Sequence, residues 1–160
     1  MNNVLRLEEG VARIVADDPW ALVRELDGEL PDGSLILPLT RWLQDPAQQA
    51  VWLGPDDEVE CLKPWFNSLP LIALDFPSFR DGRGYSQAYL LRTRLGWTGE
   101  LRAVGDVLRD QLSHMRQCGF DSFAVREDKS VEDALKGLAG MSVLYGRSVI
   151  EPRPLFRRRE

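Results

Sequence analysis

The fold is decided by the stretch Leu71–Val125, which reads LIALDFPSFRDGRGYSQAYLLRTRLGWTGELRAVGDVLRDQLSHMRQCGFDSFAV. This stretch contains two strand–loop–helix units followed by a third strand. In the first unit, an apolar strand over residues 71–76 leads into a loop that carries Asp81-Gly82-Arg83-Gly84. A helix with apolar residues at three- and four-residue spacing then begins near Ser86.

The second unit repeats this plan. A strand over residues 101–104 ends at the turn Gly105-Asp106, and a helix continues to about Cys118 before the third strand over 122–125. Because strands alternate with helices here, the pattern predicts parallel pairing of the three strands.

The flanking segments extend this prediction. Apolar runs at residues 35–37 and 50–53 predict two more strands of the same sheet, and alternation over residues 3–15 predicts a hairpin. The helix-start signal Asp-Asp-Pro-Trp predicts a short helix over residues 21–26. A capping pattern at Ser130 predicts the start of a further helix.

These elements predict an α/β protein with a single three-layer domain, in which a mostly parallel central sheet of about five strands is flanked by helices. A length of 160 residues is sufficient for one core. The domain is predicted over residues 1–150, with a last strand or covering segment near 143–145. Residues 151–160, which are rich in arginine, are predicted to be a mobile basic tail.

Composition excludes several classes of protein. No apolar run approaches the roughly 20 residues that cross a bilayer, so no membrane association is expected. The N-terminal residues lack the pattern of a signal peptide, and two cysteines are too few for a disulfide framework. We therefore expect a soluble cytoplasmic protein.

Charge is unevenly distributed. The net charge is −5, but residues 1–79 hold 14 acids and 5 bases whereas residues 80–160 hold 11 acids and 15 bases. This pattern does not favour nucleic-acid binding, which needs a broad basic face. The alternatives are a local attraction for a small anion or acidic partner, and complementary faces within the fold.

The loop of the first unit is a candidate anion site. Glycines allow backbone N–H groups to approach a ligand, and the following helix N-terminus favours negative charge. In parallel sheets ligands lie beyond the carboxyl ends of strands, where this loop and the next turn both belong. The loop has neither a dinucleotide-binding nor a Walker pattern. The predicted anion-binding residues are Asp81, Gly82, Arg83, Gly84, Ser86, Arg92, Arg102, Gly105 and Gln111.

Arg92 has a second interpretation. It flanks the apolar face of the first helix, so it requires either a bound anion or a carboxylate partner. The nearest candidates in the sequence are Asp75 and Asp81, and the structural alternative is an ion pair that holds the loop to the helix.

No cofactor and no metal ion are expected. The single histidine, His114, lacks a second histidine with which to form a metal site, and Cys118 lacks a second cysteine or a base at motif spacing. No catalytic residue can be named from these patterns, so the sequence leaves open whether the protein is an enzyme.

The run FPSFRDGRGYSQAYLLRTRLGWTGELRAVGDVLRDQLSHMRQCGFDSF resembles the signature of the bacterial domain-of-unknown-function family 934, and upstream DDPW and LPLTRWL are similar to that family's N-terminal landmarks. Family members are described as oxidoreductases associated with sulfite reduction. The resemblance implies a role in sulfur assimilation, with sulfite reductase or phosphoadenylyl-sulfate reductase components as partners. It supplies no catalytic residues.

Two functions follow as hypotheses. One is an accessory protein of assimilatory sulfate or sulfite reduction that binds a reductase and a small sulfur oxyanion. The other is a small enzyme that acts directly on sulfite or a phosphosulfate. The accessory function is favoured, because the candidate residues suit anion recognition and include no redox centre.

Overall fold

The computed structural model of the chain describes residues 1–46 and 49–139. These residues form one sheet with the strands β1 (Val4–Glu8), β2 (Val11–Val15), β3 (Trp20–Leu22), β4 (Ser34–Pro38), β5 (Ala50–Leu53), β6 (Leu71–Phe76), β7 (Glu100–Gly105) and β8 (Ser122–Ala124). The α-helices are α1 (Leu39–Gln44), α2 (Arg83–Tyr89), α3 (Leu112–Cys118) and α4 (Val131–Ala139). Shorter helical turns are the 3₁₀ segments Val59–Trp65 and Arg109–Gln111 and the π-helical segment Leu90–Arg94.

The strands lie in the order β2-β1-β8-β7-β6-β5-β4-β3. From β3 to β8 every neighbouring pair is parallel, whereas β1 is antiparallel to both β8 and β2. The five strands expected from the sequence are all present, and the parallel pairing of β6, β7 and β8 is confirmed.

The predicted fold class is nevertheless wrong. The sheet is mixed, has eight strands and curls into a half-barrel with few helices, instead of forming the central layer of a three-layer domain. The curl brings the start of the chain against β3. There the Met1 amino group donates a hydrogen bond to the carbonyl oxygen of Trp20 at 2.9 Å. In sheet order, β1 and β3 are six places apart.

Packing explains this difference. The helices cover the outer face, where side chains such as Ile72, Leu74 and Leu101 join the larger core cluster. On the inner face, side chains from different strands bury one another, and Leu71 and Ala73 belong to this second cluster. A curled sheet fills its own concave side in this way, so a second layer of helices is not needed.

The predicted helix over residues 21–26 is also wrong, because Trp20–Leu22 is a strand. Its backbone pairs in parallel with β4, with Ala21 opposite Leu35. The Asp-Asp-Pro-Trp pattern leads into this strand and not into a helix. The Asp18 carboxylate accepts a hydrogen bond from the Trp20 N–H at 3.2 Å, at the start of β3.

Other local predictions are confirmed. The hairpin is β1–β2 with its turn at Glu9-Gly10. The Ser130 Oγ accepts from the Asp133 N–H at 3.1 Å and caps α4. The predicted segment 143–145 and the tail 151–160 lie outside the described residues. Among the described helices, none is long and apolar enough to cross a membrane.

Candidate functional site

An open cleft of about 1190 Å³ lies at the carboxyl ends of β3, β7 and β8. Residues 1–3 and the segment 127–132 complete its lining. In barrels and open sheets of parallel strands, ligands bind at this end, because the loops there can vary without disturbing the core. The cleft is therefore the candidate functional site.

One wall of the cleft carries Arg24, which follows β3. Its Nη2 donates to Asp75 Oδ1 at 2.9 Å, and its guanidinium carbon lies 5.2 Å from the centre of the Trp52 ring. Trp52 is itself fixed, because its indole N–H donates to the Val23 carbonyl at 2.8 Å. The arginine side chain remains 45% exposed, whereas the Asp75 side chain is only 9% exposed.

Asp75 stands at the end of β6 and lies against Gly105 at the end of β7. A Cβ atom on Gly105 would lie 2.5 Å from Asp75 Oδ1 and 2.5 Å from the Phe76 carbonyl oxygen. Gly105 also has a φ of +95°, which side chains rarely adopt. Glycine is thus required here to admit the carboxylate.

The opposite wall carries Arg126. Its Nη1 donates to Asp106 Oδ1 at 2.6 Å, and its Nε donates to Asp128 Oδ1 at 2.7 Å. The hydrogen bond from Arg126 lowers the pKa of Asp106 below 3.8, and the same arginine lowers the pKa of Asp128. The other Asp106 oxygen accepts from the Phe79 N–H at 2.8 Å, which joins the β6–α2 loop to this wall.

Arg102 lies deep inside the half-barrel, with its side chain 0% exposed. It donates two hydrogen bonds to the Asp18 carboxylate, at 2.8 and 3.0 Å, and further bonds to Glu100 and Ser122. Burial raises the pKa of Asp18, but the hydrogen bonds and charge of Arg102 outweigh this effect and leave it below 3.8. This network joins β7 to β8 and to the segment that precedes β3.

The predicted anion loop is occupied by internal ion pairs. Arg83 donates to Asp81 at 2.7 Å and to Asp56 at 2.5 Å. The hydrogen bond from Arg83 lowers the pKa of Asp81 to about 2. Gly82 and Ser86 are exposed on the same loop and helix.

Gly84 has a packing role in the first turn of α2. A Cβ atom at this position would lie 2.6 Å from the Phe76 ring. The glycine therefore allows α2 to approach β6 closely.

The predicted pairing of Arg92 with Asp75 or Asp81 is wrong. Arg92 donates to the carbonyl oxygens of Gly119, Trp97 and Gly99 at 2.8–2.9 Å, and its nearest carboxylate is Asp121 at 3.5 Å. Burial lowers the pKa of Arg92. The residue ties two loops together at the amino ends of β7 and β8.

The nine predicted anion-binding residues do not form a single site. Among them, Gly105 lines the cleft, Arg102 lies in the interior, and the 81–86 group lies on the outer loop. Gln111 is half-buried, and its Oε1 has no hydrogen-bond partner within residues 1–46 and 49–139. Anion binding by this set stays a prediction.

His114 and Cys118 come together on α3, with Cys118 Sγ 4.0 Å from His114 Nε2. The Tyr85 ring lies 4.4 Å from the imidazole, centre to centre. Burial raises the pKa of the Cys118 thiol, so it is protonated at neutral pH. Within the described part of the chain, no three His, Cys, Asp or Glu residues form a group able to hold a metal ion.

Sequence reasoning missed the cleft residues Arg24 and Arg126 and assigned Asp75 to another role. A signal was available for two of them. Asp75 interrupts the apolar run of the β6 strand, and Arg126 directly follows the last predicted strand. Polar residues at the carboxyl ends of neighbouring parallel strands meet at one edge of the sheet.

Comparison with known proteins gives a match at the level of the family. Neither a curated protein nor a solved structure matches the chain. A family model described as "Bacterial protein of unknown function (DUF934)" matches residues 50–156, which include β5 to α4 and both carboxylates that pair with cleft arginines, Asp75 and Asp106. Because this match covers more than half of its length, the chain belongs to the DUF934 family of bacterial proteins.

Proposed function

We propose that this protein is an accessory protein of assimilatory sulfate and sulfite reduction, which binds a small sulfur oxyanion in the cleft and a reductase on its surface. The sulfur chemistry and the reductase come from the family resemblance. The cleft supports the narrower part of the proposal, which is the binding of a small anion beyond the ends of the parallel strands.

The observation that supports anion binding is that Arg24 has hydrogen-bond donors available at the cleft. Only its Nη2 donates to Asp75, so Nε and Nη1 have no partner among the described residues. The guanidinium group is half-exposed at the cleft and is held in place by Trp52. Arginine presents several donors in a fixed plane, which suits an oxyanion with two or three oxygens.

Titration calorimetry tests this proposal with sulfite, sulfate and adenosine phosphosulfate. Arg24→Ala should weaken binding by about tenfold or more, since a charge-assisted hydrogen bond contributes roughly 1.5–3 kcal/mol. Arg13→Ala is the matched control, because Arg13 is a 63% exposed arginine on β2 that does not line the cleft. Binding should also weaken as salt is raised.

Two outcomes contradict the proposal that an anion binds in the cleft. Absence of binding by all three anions refutes the anion proposal. A loss of binding in Arg83→Ala with none in Arg24→Ala places the anion at the 81–86 loop, as the sequence predicted, and not at the cleft.

A direct enzymatic function is the second candidate, and Asp75 favours it. This carboxylate is nearly buried at the end of a central parallel strand, which is where catalytic residues stand in barrel enzymes. Ion chromatography of sulfite or adenosine phosphosulfate incubated with the protein measures turnover. Consumption that Asp75→Asn abolishes would replace the accessory function with an enzymatic one.

A further inference from the structure

The β3 end of the sheet has no helical cover among the described residues. The connections from β4 to β8 each contain a helix or a helical turn, whereas residues 23–33, which join β3 to β4, contain none. Ala21 in the middle of β3 is exposed, so the outer face of this edge strand is open to solvent.

Two leucines in this connection are exposed. Leu26 has 65% of its surface in solvent and Leu30 has 42%. Exposed leucines on a fixed loop incur a cost in water that contact with a partner removes.

The loop is held in one shape by α1. Arg41 Nη1 donates to the carbonyl oxygens of Glu25 and Asp27 at 3.1 and 3.0 Å, and its Nη2 donates to the carbonyl of Gly28. Because one side chain holds three backbone carbonyl groups within four residues, less conformational entropy remains to be lost when a partner binds.

Apart from Arg41, the charges at the part of this connection that carries the leucines are acidic. Residues 25–32 contain four acids and no base. None of these carboxylates forms an ion pair or accepts a hydrogen bond within the part of the chain that the structure describes. The acids are Glu25, Asp27, Glu29 and Asp32. The leucines therefore lie among four acidic side chains, which outnumber the cation that contacts the loop, Arg41.

We propose that the connection surface, defined as residues 25–32 with the outer face of β3, docks a protein whose contacting face is basic and has an apolar recess for Leu26, the more exposed of the two leucines. An apolar centre within a charged rim is the usual anatomy of a specific interface, and the charges select a partner of opposite sign. The proposal rests on the proposed function, in which that partner is a reductase.

The first experiment reads the chemistry of the partner without assuming its identity. A library of displayed twelve-residue peptides is selected on the full protein, and the affinities of the selected peptides are measured on wild type and variants. We expect enrichment in Lys or Arg together with an aliphatic or aromatic residue. Leu26→Ser should weaken the binding of these peptides about tenfold, because it removes the apolar side chain that the peptide would bury.

Matched controls separate the surface from general effects. Val11→Ser removes another exposed hydrophobic side chain, 54% exposed on β2 at the other end of the sheet order, and should leave affinity unchanged. Glu29→Gln with Asp32→Asn should weaken binding and reduce its salt dependence. Glu60→Gln with Asp110→Asn removes the same charge at exposed positions elsewhere and should do neither.

Three results overturn the proposal. The first is that the selected peptides are neutral or acidic, and the second is that Val11→Ser lowers the affinity as much as Leu26→Ser does. The third is that the wild-type protein sediments as a dimer that Leu26→Ser dissociates, because the occupant of the surface would then be a second copy of this chain.

Purified sulfite reductase and phosphoadenylyl-sulfate reductase from the same bacterium form the second arm. A reductase that binds wild type and Leu26→Ser equally refutes the connection surface but leaves the proposed function standing. The opposite result is that basic peptides bind in a Leu26-dependent manner but neither reductase binds. This result supports the connection surface and refutes the reductase as its partner.

Discussion

Replacement of Arg102 by methionine tests whether the buried network holds the half-barrel together. Methionine keeps the length of the apolar stem and removes the guanidinium group. The substitution removes two hydrogen bonds and the closest positive charge from the Asp18 carboxylate, whose side chain is 0% exposed, and it removes a partner of Glu100, which is 21% exposed. It also leaves the Ser122 hydroxyl without its donor.

The expected cost is large. Removal of one partner from a fully buried ion pair lowers the free energy of unfolding by about 3–5 kcal/mol when the other charge is left alone. The lower end is expected here, because Asp18 keeps the Met1 amino group at 3.5 Å and Arg6 at 3.7 Å. Urea unfolding followed by tryptophan fluorescence measures this loss. The double variant Arg102→Met/Asp18→Asn should lose less free energy of unfolding than the sum of the losses in the two single variants, by at least about 1 kcal/mol. The difference arises because the two residues interact with each other.

The pH dependence gives an independent check. In the folded protein Arg102 keeps the pKa of Asp18 below 3.8, despite burial, which acts in the opposite direction. The stabilisation is therefore complete above about pH 3.8 and is lost as pH falls through the lower folded pKa. The difference in stability between wild type and Arg102→Met should shrink in that acid range. A loss below about 1 kcal/mol at neutral pH, with no change in acid, would refute the buried network.

Three further predictions follow from single contacts. Arg92→Ala should lower the free energy of unfolding by about 2–4 kcal/mol, because three carbonyl groups lose their donor, and Arg92→Lys should restore only part of it; urea melts of both variants decide this. Gly84→Ala should cost about 1–3 kcal/mol because its Cβ would overlap the Phe76 ring, whereas Gly82→Ala, whose Cβ would meet no described atom within 4 Å, should be nearly neutral; equal thermal midpoints would contradict the packing role. Arg126→Gln should raise the pKa of Asp106 towards 3.8 in an NMR titration, because the hydrogen bond that lowers it is lost, and an unchanged value would show that the pair does not form in solution.

The sequence was sufficient to predict the parallel core because that core consists of local units. Each unit from β6 to β8 has an apolar strand, a glycine-containing turn and a helix with one apolar face, and such units pair in parallel. The hairpin β1–β2 was equally predictable from its alternation and its turn at Gly10. These features depend on residues that are close in the chain.

The layer arrangement could not be predicted, because it depends on what covers the second face of the sheet. The run Leu71–Leu74 is apolar on both faces. This pattern fits a flat sheet between two layers of helices, and it fits equally well a curled sheet whose inner face is filled by its own side chains. The partner of Arg102 shows the same limit, since Asp18 is 84 residues away and faces it only because the sheet curls.

The end of β6 explains why the glycine loop of the sequence and the cleft of the structure are different places. Successive side chains of a strand point to opposite faces, so Phe76 points outward and Asp75 inward. Phe76 requires Gly84 in the first turn of α2, where a larger residue would overlap its ring. Asp75 requires Gly105 at the cleft, where a larger residue would overlap its carboxylate. Both glycines are therefore required by side chains at the end of β6, but only Gly105 lies beside a charged group at the cleft. A glycine indicates close approach, and the atom that approaches it decides whether the position belongs to the packing or to the site.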